Sequence, residues 1–479
     1  MTVKVRFAPS PTGYLHLGSA RTALFNFLFA RSQNGIFLLR IEDTDKERSK
    51  KEFEEDIYSN LQWLGISWDD KVIRQSERIN LYKEILEKLI DQGLAYYCFC
   101  SKEELELRHQ EQLTRGEIPK YPGTCRSLTK EEALARKNKQ NYVIRLKVPE
   151  KSILFKDFLR GEIKADYRQI GDFIIAKKED EPLYVLANTV DDYYQGITHV
   201  IRGEEFISTT PKQLLIYKYL EWPIPIFVHL PLVLGQDRSK LSKRHGAKSI
   251  REYREEGYLP EAILNFIVLL GWHPEGNDEI ISLSQMINQF KLEKLNKSPS
   301  IFNISKLNYF NRYYLRIKNA EDILNVINFD NYGHWHDNYF EANNGLKYSK
   351  DKVLKIINLG KERALLISDV LSSVNFFFEE FDYPSNLLIW KNSLPDKIKD
   401  NLTLIKDEFT KIDEENFISE KIKLILDNLA PTNKGEFFWP LRVALSGKDA
   451  SPPPFELAEI FGKKKTLELI DRALEKLGL

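Results

Sequence analysis

The amino-acid sequence predicts an open parallel α/β sheet that is split by an α+β insertion and followed by an all-α region. Three observations predict this fold class. Strand and helix patterns alternate over residues 3–94 and again after residue 198, residues 95–184 have strand patterns without regular helices between them, and helical periodicity dominates from about Ile250 onward. A chain of 479 residues is also too long for one hydrophobic core, so roughly two to four domains are expected.

The first four elements form one right-handed parallel unit. Residues 3–7 alternate as a strand does, and residues 9–13 turn the chain. Residues 15–30 have helical periodicity, and Ile36–Ile41 is a short apolar run typical of a buried strand. Ligands of such sheets bind beyond the carboxyl ends of the strands, which directs attention to the turn after the first strand.

Boundary signals organise the rest of the chain. Ser76 is expected to cap a helix that Gly93 closes, and Ser101 with Glu104 forms a capping box for another. Thr210 and Pro211 begin a helix after the insertion. Further strands are predicted over residues 95–99, 142–148, 172–177, 199–202 and 226–230. In the helical region, breaks are expected at prolines 384, 431 and 452–454.

Composition excludes some classes of protein and leaves others open. Lysine plus arginine equals aspartate plus glutamate at 70 each, so any RNA-binding surface must come from local segregation of charge. No apolar run approaches the roughly 20 residues that span a bilayer, and the first residues lack the apolar stretch of a secretory signal. We therefore expect a cytoplasmic protein that does not associate with membranes.

Residues 9–19 lie between the first strand and its helix, where free N–H groups and the helix dipole favour a phosphate. His16 can donate to the phosphates, and Gly18 admits close approach. Residues 240–244, Lys-Leu-Ser-Lys-Arg, are predicted to form a mobile basic loop that closes over a triphosphate. Taken singly, the first string also fits a capped helix start with no ligand, and the second also fits an exposed charged loop.

Five separated strings together resemble bacterial glutamyl-tRNA synthetases. They occur in family order, at residues 9–21, 40–45, 183–192, 201–205 and 240–244. The resemblance implies a class I aminoacyl-tRNA synthetase with a Rossmann-like catalytic domain. Such an enzyme makes a glutamyl adenylate from ATP, with Mg²⁺, and transfers glutamate to tRNA(Glu), releasing AMP and diphosphate for translation. It also implies a cytoplasmic monomer whose partners are L-glutamate, ATP and tRNA.

The resemblance further implies which residues form the site. His16 and Lys243 are the catalytic residues, because they bind and polarise the ATP phosphates. The implied ATP contacts are Pro9, Gly18, Ser19, Lys240, Ser242, Lys243 and Arg244. The implied glutamate contacts are Arg6, Ala8, Ser10, Glu42, Tyr184, Asn188, Arg202 and Glu205. Arg6 and Arg202 are expected to pair with carboxylates and Glu42 with the ammonium group. A core role for Tyr184 and Asn188, and a surface ion pair for Arg202 and Glu205, stay open.

The same resemblance divides the chain into functional regions. Residues 1–94 and 185–248 form the split catalytic domain, and residues 95–184 the inserted acceptor-stem-binding domain. Residues 249–319 form a helical stem-contact domain, and residues 320–479 an all-α anticodon-binding region, most clearly matched at residues 439–447. Two arginines of that region, Arg363 and Arg442, are candidate tRNA contacts.

Three clustered cysteines, Cys98, Cys100 and Cys125, resemble the zinc-binding insertion of some family members. A structural zinc site normally has four ligands, and Ser127 stands where some members carry histidine. Tyr121 is the candidate replacement, which gives a predicted site of Cys98, Cys100, Tyr121 and Cys125. The alternative is a site that has lost its metal, with the cysteines remaining as small buried hydrophobes.

Other functions fit the sequence less well. Glutaminyl-tRNA synthetases have different first and second strings, and shortened relatives that modify a base within tRNA lack the helical C-terminal region. A catalytically silent tRNA-binding paralogue need not keep His16, Gly18 and Lys243. A general nucleotidylyltransferase shares the first motif but has no reason to carry the later helical domains. Whether the glutamine tRNA is also charged stays open.

Overall fold

The computed structural model describes residues 2–239, 241 and 248–478. They divide into two units, the first made of Met1–Glu255 with Pro260–Phe310 and the second of Glu256–Leu259 with Asn311–Leu479. Across these described stretches, no helix combines the length and the apolar character that crossing a membrane requires.

The first unit begins with a parallel sheet. Strand β2 pairs in parallel with β1 on one side and β3 on the other. Helix α1 packs on β1 and β2, as expected for a right-handed crossover. The elements are β1 Lys4–Phe7, α1 Leu17–Ser32, β2 Ile36–Ile41, α2 Lys51–Trp63, β3 Ile73–Arg74 and α3 Ile79–Asp91.

The insertion forms an antiparallel sheet of four strands in the order β4-β5-β8-β9. Its elements are β4 Ala95–Cys98, α4 Lys102–Thr114, α5 Lys130–Lys137, β5 Val143–Leu146, β6 Ser152–Asp157, β7 Gly161–Asp166, α6 Tyr167–Ile170, β8 Ile174–Lys178 and β9 Glu181–Pro182. The β6–β7 hairpin does not join this sheet but the second half of the parallel one.

The parallel pattern resumes after the insertion, with strand order β10-β11-β6-β7. The elements are α7 Tyr184–Tyr194, β10 His199–Gly203, α8 Thr210–Tyr219, β11 Ile226–Leu230 and β12 Val233–Leu234. Thr198 N donates to Lys4 O at 2.9 Å, so β10 runs beside β1. A large hydrophobic cluster of α3, α7 and α8 with β4, β5 and β8 packs the insertion against helices of the parallel domain.

Helices follow, as the periodicity predicts. The elements that complete the first unit or cross into the second are α9 Ile250–Glu256, α10 Pro260–Leu269, α11 Leu283–Gln289, β13 Ser300–Ile301 and α12 Ile304–Ile317. The second unit continues with α13 Ala320–Leu324, β14 Gly333–Trp335, β15 Tyr339–Ala342, β16 Lys347–Ser349, α14 Lys350–Lys361, α15 Asp369–Ser373, α16 Pro395–Thr410, α17 Ser419–Leu429, α18 Gly435–Ser446 and α19 Pro454–Gly478.

The second unit is helical apart from the small antiparallel sheet β14–β16, which the sequence did not predict. Its strands are only three or four residues long, too short for an alternation of polar and apolar residues to stand out. Pro440 lies inside α18 without ending it. Asn401 Nδ2 donates to Glu436 O at 3.1 Å, and so satisfies the carbonyl that the missing N–H of Pro440 leaves unpaired.

The predicted strands and the Ser101–Glu104 capping box are confirmed. The Ser76 cap is wrong, because α3 begins at Ile79 and Ser76 lies in the preceding turn of 3₁₀ helix, Gln75–Arg78. Both the N–H and the hydroxyl of Ser76 donate to Asp43, at 2.8 and 2.5 Å. Ser76 therefore ties the turn to the segment after β2 and does not cap the helix.

Candidate active site

The N-terminus of α1 is shaped by His16 and Gly18. His16 is extended and caps the helix, since its Nδ1 accepts from Ser19 N at 3.2 Å. A Cβ at Gly18 would lie 3.2 Å from His16 Cε1 and Nδ1. Glycine at this position therefore lets the imidazole lie across the helix start. With 16 residues in α1, its N-terminal amides and dipole favour an anion beside the exposed imidazole.

The chain that follows the basic string 240–244 is anchored at this helix start. Within the string, Leu241 N donates to Val233 O at 3.1 Å. After it, Ser249 forms a β-bridge with His16, and Ile250 N donates to Leu15 O at 2.8 Å. The predicted ATP contacts Lys240, Ser242, Lys243 and Arg244 lie outside the described residues.

Buried charged side chains meet where β1, β2 and α7 come together. Arg6, at β1, donates to both carboxylate oxygens of Asp192, with Nε–Oδ1 at 2.9 Å. Arg40, near the end of β2, reaches Asp192 at 2.9 Å and Glu42 at 3.1 Å. Burial alone would raise the pKa of Asp192, but Arg6 and Arg40 outweigh it and hold that pKa below its usual range. The two buried cations therefore favour the ionised form of Asp192.

Glu42 begins a chain of side-chain hydrogen bonds across the pocket. Asn188 Nδ2 donates to Glu42 Oε1 at 2.6 Å, Gln213 Nε2 donates to Asn188 Oδ1 at 2.8 Å, and Arg202 Nη2 donates to Gln213 Oε1 at 2.7 Å. All four side chains are buried. The structure thus joins the predicted ammonium ligand, Glu42, to the predicted carboxylate ligand, Arg202, through two amides.

Arg202 also bonds to three other uncharged groups. Its Nε donates to His229 Nε2 at 3.2 Å, its Nη1 to Tyr184 Oη at 3.4 Å, and its Nη2 to Thr210 Oγ1 at 2.9 Å. Burial raises the pKa of Tyr184 to about 12, so this phenol stays neutral. Only 4% of Arg202 is exposed, which rules out the alternative of a surface ion pair.

The remaining predicted contacts lie around this pocket. Pro9 O accepts from Glu42 N at 3.0 Å, which places the segment of Ala8, Pro9 and Ser10 beside Glu42. Glu205 is exposed on the 3₁₀ turn that follows β10. Its carboxylate lies close to Gly203, where a Cβ would overlap it.

The three cysteine thiols converge with Tyr121 in the insertion. Their sulfur atoms lie within 4.8 Å of one another, and the Cys100 and Cys125 sulfurs are 3.7 Å apart. Tetrahedral zinc with Zn–S bonds of 2.3 Å needs sulfurs about 3.8 Å apart, so the Cys100–Cys125 distance fits. Tyr121 Oη lies 3.3 Å from Cys98 Sγ and 3.7 Å from Cys100 Sγ. Ser127 is exposed.

In the second unit, Arg363 and Arg442 are neighbouring cations. Arg363 Nη2 donates to Ser451 O at 2.7 Å. Burial and the charge of Arg363 both lower the pKa of Arg442. Within the described part of the chain, the buried Nε of Arg442 has no hydrogen-bond partner. Two neighbouring guanidinium groups are of the type that contacts RNA phosphates.

Several residues of the pocket were not predicted from the sequence: Arg40, Asp157, Asp192, Gln213 and His229. Arg40 and Asp192 lie within two of the five strings, and a charge inside an apolar strand such as β2 is itself a signal. Asp157 and His229 are 72 positions apart, yet His229 Nδ1 and Asp157 Oδ2 are 2.7 Å apart. No local sequence pattern predicts that these two residues form a pair.

Comparison with known proteins identifies two matching families. Residues 2–309 match the family described as "tRNA synthetases class I (E and Q), catalytic domain". Residues 324–474 match the family described as "Anticodon binding domain". The two matches together cover most of both units.

Similar individual proteins include glutamate–tRNA ligase 2 of Thermoanaerobacter pseudethanolicus, 42% identical over 99% of this chain and 98% of the relative. Glutamate–tRNA ligase of Aquifex aeolicus is 42% identical over 99% of each chain. The crystal structure of a glutamate tRNA ligase from Elizabethkingia meningosepticum, in complex with its amino acid, superimposes with a TM-score of 0.87 at 34% identity, covering 100% of each chain.

Proposed function

The chain belongs to the family of class I tRNA synthetases for glutamate and glutamine, and from that premise we infer that it ligates L-glutamate to tRNA(Glu). A glutamate carboxylate oxygen attacks the α-phosphorus of ATP, the bond to the β-phosphate breaks, and diphosphate leaves. A hydroxyl at the tRNA 3′ end then attacks the carbonyl carbon, and AMP leaves. Arg202 carries the choice of glutamate over glutamine, because it is a buried cation bonded only to neutral side chains among the described residues.

The described residues supply binding and orientation for the first step. His16 and the amides at the start of α1 are proposed to hold the ATP phosphates, with Ser19 and Pro9 beside them. Mg²⁺ supplies charge neutralisation at the phosphates when ATP is bound. Lys243 is proposed from the sequence to neutralise the charge that develops on the leaving diphosphate.

Glutamate is proposed to lie along the Arg202–Gln213–Asn188–Glu42 chain. Arg202, supported by Arg6, receives the side-chain carboxylate, and Glu42 receives the ammonium group. Burial raises the pKa of Glu42, and Arg40 and Asn188 oppose that shift. A bound ammonium group also opposes that shift, because its positive charge favours the ionised carboxylate of Glu42. The proposed pocket therefore requires one negative and one positive end on its substrate.

The proposed tRNA-binding roles follow the family resemblance, and the match of residues 324–474 to an anticodon binding domain supports the last of them. Residues 95–184 are proposed to bind the acceptor stem, residues 249–319 to contact the stem, and residues 320–479 to bind the anticodon. Arg363 and Arg442 are the proposed anticodon-side contacts, because they present two neighbouring cations. The catalytic domain is proposed to be residues 1–94 with 185–248.

ATP–pyrophosphate exchange tests the activation step. With glutamate, ATP, Mg²⁺ and tRNA(Glu), the purified full chain is expected to exchange label, and glutamine is expected to replace glutamate poorly. Because bacterial enzymes of this kind are expected to need tRNA for exchange, tRNA must be present. A folded protein that shows no exchange under these conditions would refute the proposed activity.

Replacing His16 by alanine is expected to lower kcat of exchange by about 100-fold, because one preorganised donor to the phosphates is lost. Alanine also removes the helix cap, which costs about 1 kcal/mol. His16→Asn is the matched variant, since asparagine is a good N-cap but does not reproduce the imidazole. If His16→Asn kept the wild-type kcat, His16 would be a cap and no more.

The cysteine cluster is proposed to hold a structural zinc ion through Cys98, Cys100, Tyr121 and Cys125. Metal analysis of the purified chain is expected to find about one zinc per chain. Cys125→Ser is expected to lose it, whereas Ser127→Ala, at an exposed neighbour, is expected to keep it. Wild-type protein with well under one zinc per chain would favour the alternative of a site without metal.

A further inference from the structure

Arg202 is a buried cation whose hydrogen-bond partners do not neutralise it. Buried guanidinium groups normally pair with a carboxylate, as Arg6 does with Asp192. In the part of the chain that the structure describes, Arg202 hydrogen-bonds to a histidine, a phenol, a hydroxyl and an amide. Its guanidinium carbon also lies 5.2 and 5.4 Å from the ring centroids of Phe206 and Phe227. None of these groups carries a full negative charge.

The histidine is held neutral with a lone pair facing Arg202. Asp157 Oδ2 lies 2.7 Å from His229 Nδ1, so this nitrogen carries the proton. The other ring nitrogen, Nε2, then accepts from Arg202 Nε. Burial lowers the pKa of His229, with the charge of Arg202 acting in the same direction. His229 therefore positions the guanidinium without giving it a counter-charge.

Gln213 also positions the guanidinium of Arg202 without giving it a counter-charge. The orientation of the Gln213 amide is determined by its hydrogen-bond partners. Its Oε1 must accept from Arg202, so its Nε2 faces and donates to Asn188 Oδ1. Asn188 Nδ2 in turn donates to Glu42. The amides therefore connect a buried cation to a buried carboxylate while keeping them apart. A glutamate side chain at position 213 would have nearly the same shape but would pair directly with Arg202.

We propose that Gln213 is a positioning residue that holds Arg202 as an uncompensated cation, and that this neutral support makes the pocket select a carboxylate over a carboxamide side chain. The proposal rests on the proposed function, since it concerns how glutamate is chosen. A substrate carboxylate supplies the negatively charged hydrogen-bond partner that Arg202 lacks within the protein. A carboxamide side chain leaves the buried guanidinium without an anion, and this unpaired charge strongly disfavours its binding.

Gln213→Glu tests the proposal because it adds an internal counter-ion of the same size. The KM for glutamate is expected to rise by about 100-fold, the KM for ATP to stay within about 2-fold, and the glutamate-to-glutamine ratio of kcat/KM to fall by at least about 10-fold. Because the variant also loses the donor from Gln213 Nε2 to Asn188 Oδ1, a thermal melt run beside the kinetics shows that it is folded. Exchange assays with tRNA present give all three kinetic quantities.

Gln213→Met is the matched control, since it removes the amide without adding charge. It is expected to weaken glutamate binding and to lower the melting temperature, but to keep the preference for glutamate over glutamine. Wild-type selectivity in Gln213→Glu, or equal losses for both amino acids in both variants, would overturn the proposal. Wild-type exchange reports on the proposed function separately, and calorimetric binding of glutamate and glutamine gives the comparison without turnover.

Discussion

Replacing Arg202 by glutamine is expected to lower kcat/KM for glutamate by about 1000-fold, equivalent to about 4 kcal/mol, and to leave the folded protein no less stable. The loss arises because a buried substrate carboxylate would have no cation to meet. Stability is preserved because burial already lowers the pKa of Arg202, which means that the charged form is costly to bury in the absence of substrate.

Steady-state exchange kinetics and a thermal melt check the two halves of this expectation. Arg31→Gln is the control, since Arg31 is paired with Asp69 at a distance of 2.7 Å and is partly exposed. It is expected to change kcat/KM by less than about 2-fold. Unchanged glutamate kinetics in Arg202→Gln would show that the side-chain carboxylate is bound elsewhere.

Replacing Arg40 by methionine is expected to have the largest effect on stability. Arg40 is fully buried and contacts Glu42 and Asp192, with Asp191 3.7 Å away. Removing the cation leaves these carboxylates underpaired in the interior, which costs about 3–5 kcal/mol. The melting transition of the first unit is expected to fall by roughly 10 °C.

The pH dependence of that loss has a defined sign. In the wild type, Arg6 and Arg40 hold the pKa of Asp192 below its unfolded value despite burial, so this carboxylate stabilises the fold above its unfolded pKa, and the contribution is lost as the pH falls through the folded pKa. In Arg40→Met, protonation at acidic pH neutralises the buried carboxylates that have lost their cation. The difference in melting temperature between wild type and variant is therefore expected to narrow at acidic pH.

Lys51→Ala is the control for this effect, because Lys51 forms an exposed pair with Glu55 at 3.4 Å. Its loss is expected to cost less than about 0.5 kcal/mol. Equal melting temperatures for Arg40→Met and wild type would contradict the ionic account of this network, as would a difference that widens on acidification.

Local patterns predicted the elements that carry the proposed phosphate site, because those signals are contained in a few neighbouring residues. The run Ile36–Ile41 predicted β2, and residues 9–30 predicted a turn followed by a helix, and the structure has both elements. Anion binding at that helix start stays a prediction. Such patterns could not predict the side chains that hold Arg202 in place. Asp157 reaches His229 only because the β6–β7 hairpin leaves the insertion and joins β11, with Asp157 opposite Phe227.

Two mistaken or missing elements have related physical causes. Ser76 has the side chain of a helix cap, but a long-range bond to Asp43 satisfies it instead. The β6–β7 hairpin has little apolar alternation to detect, since the exposed face of β6 carries Leu154 and its buried face carries Asp157. In both cases the partner lies far along the sequence, so tertiary contacts decide what the local pattern leaves open.

Aminoacylation with labelled amino acid tests the central claim most directly. The purified full chain, with ATP, Mg²⁺ and tRNA(Glu), is expected to attach labelled glutamate to the tRNA, to attach little or no glutamine, and to lose the activity in Arg202→Gln. Parallel reactions with tRNA(Gln) show whether that tRNA is charged as well. A folded protein that attaches no glutamate to either tRNA, or that prefers glutamine, would contradict the account.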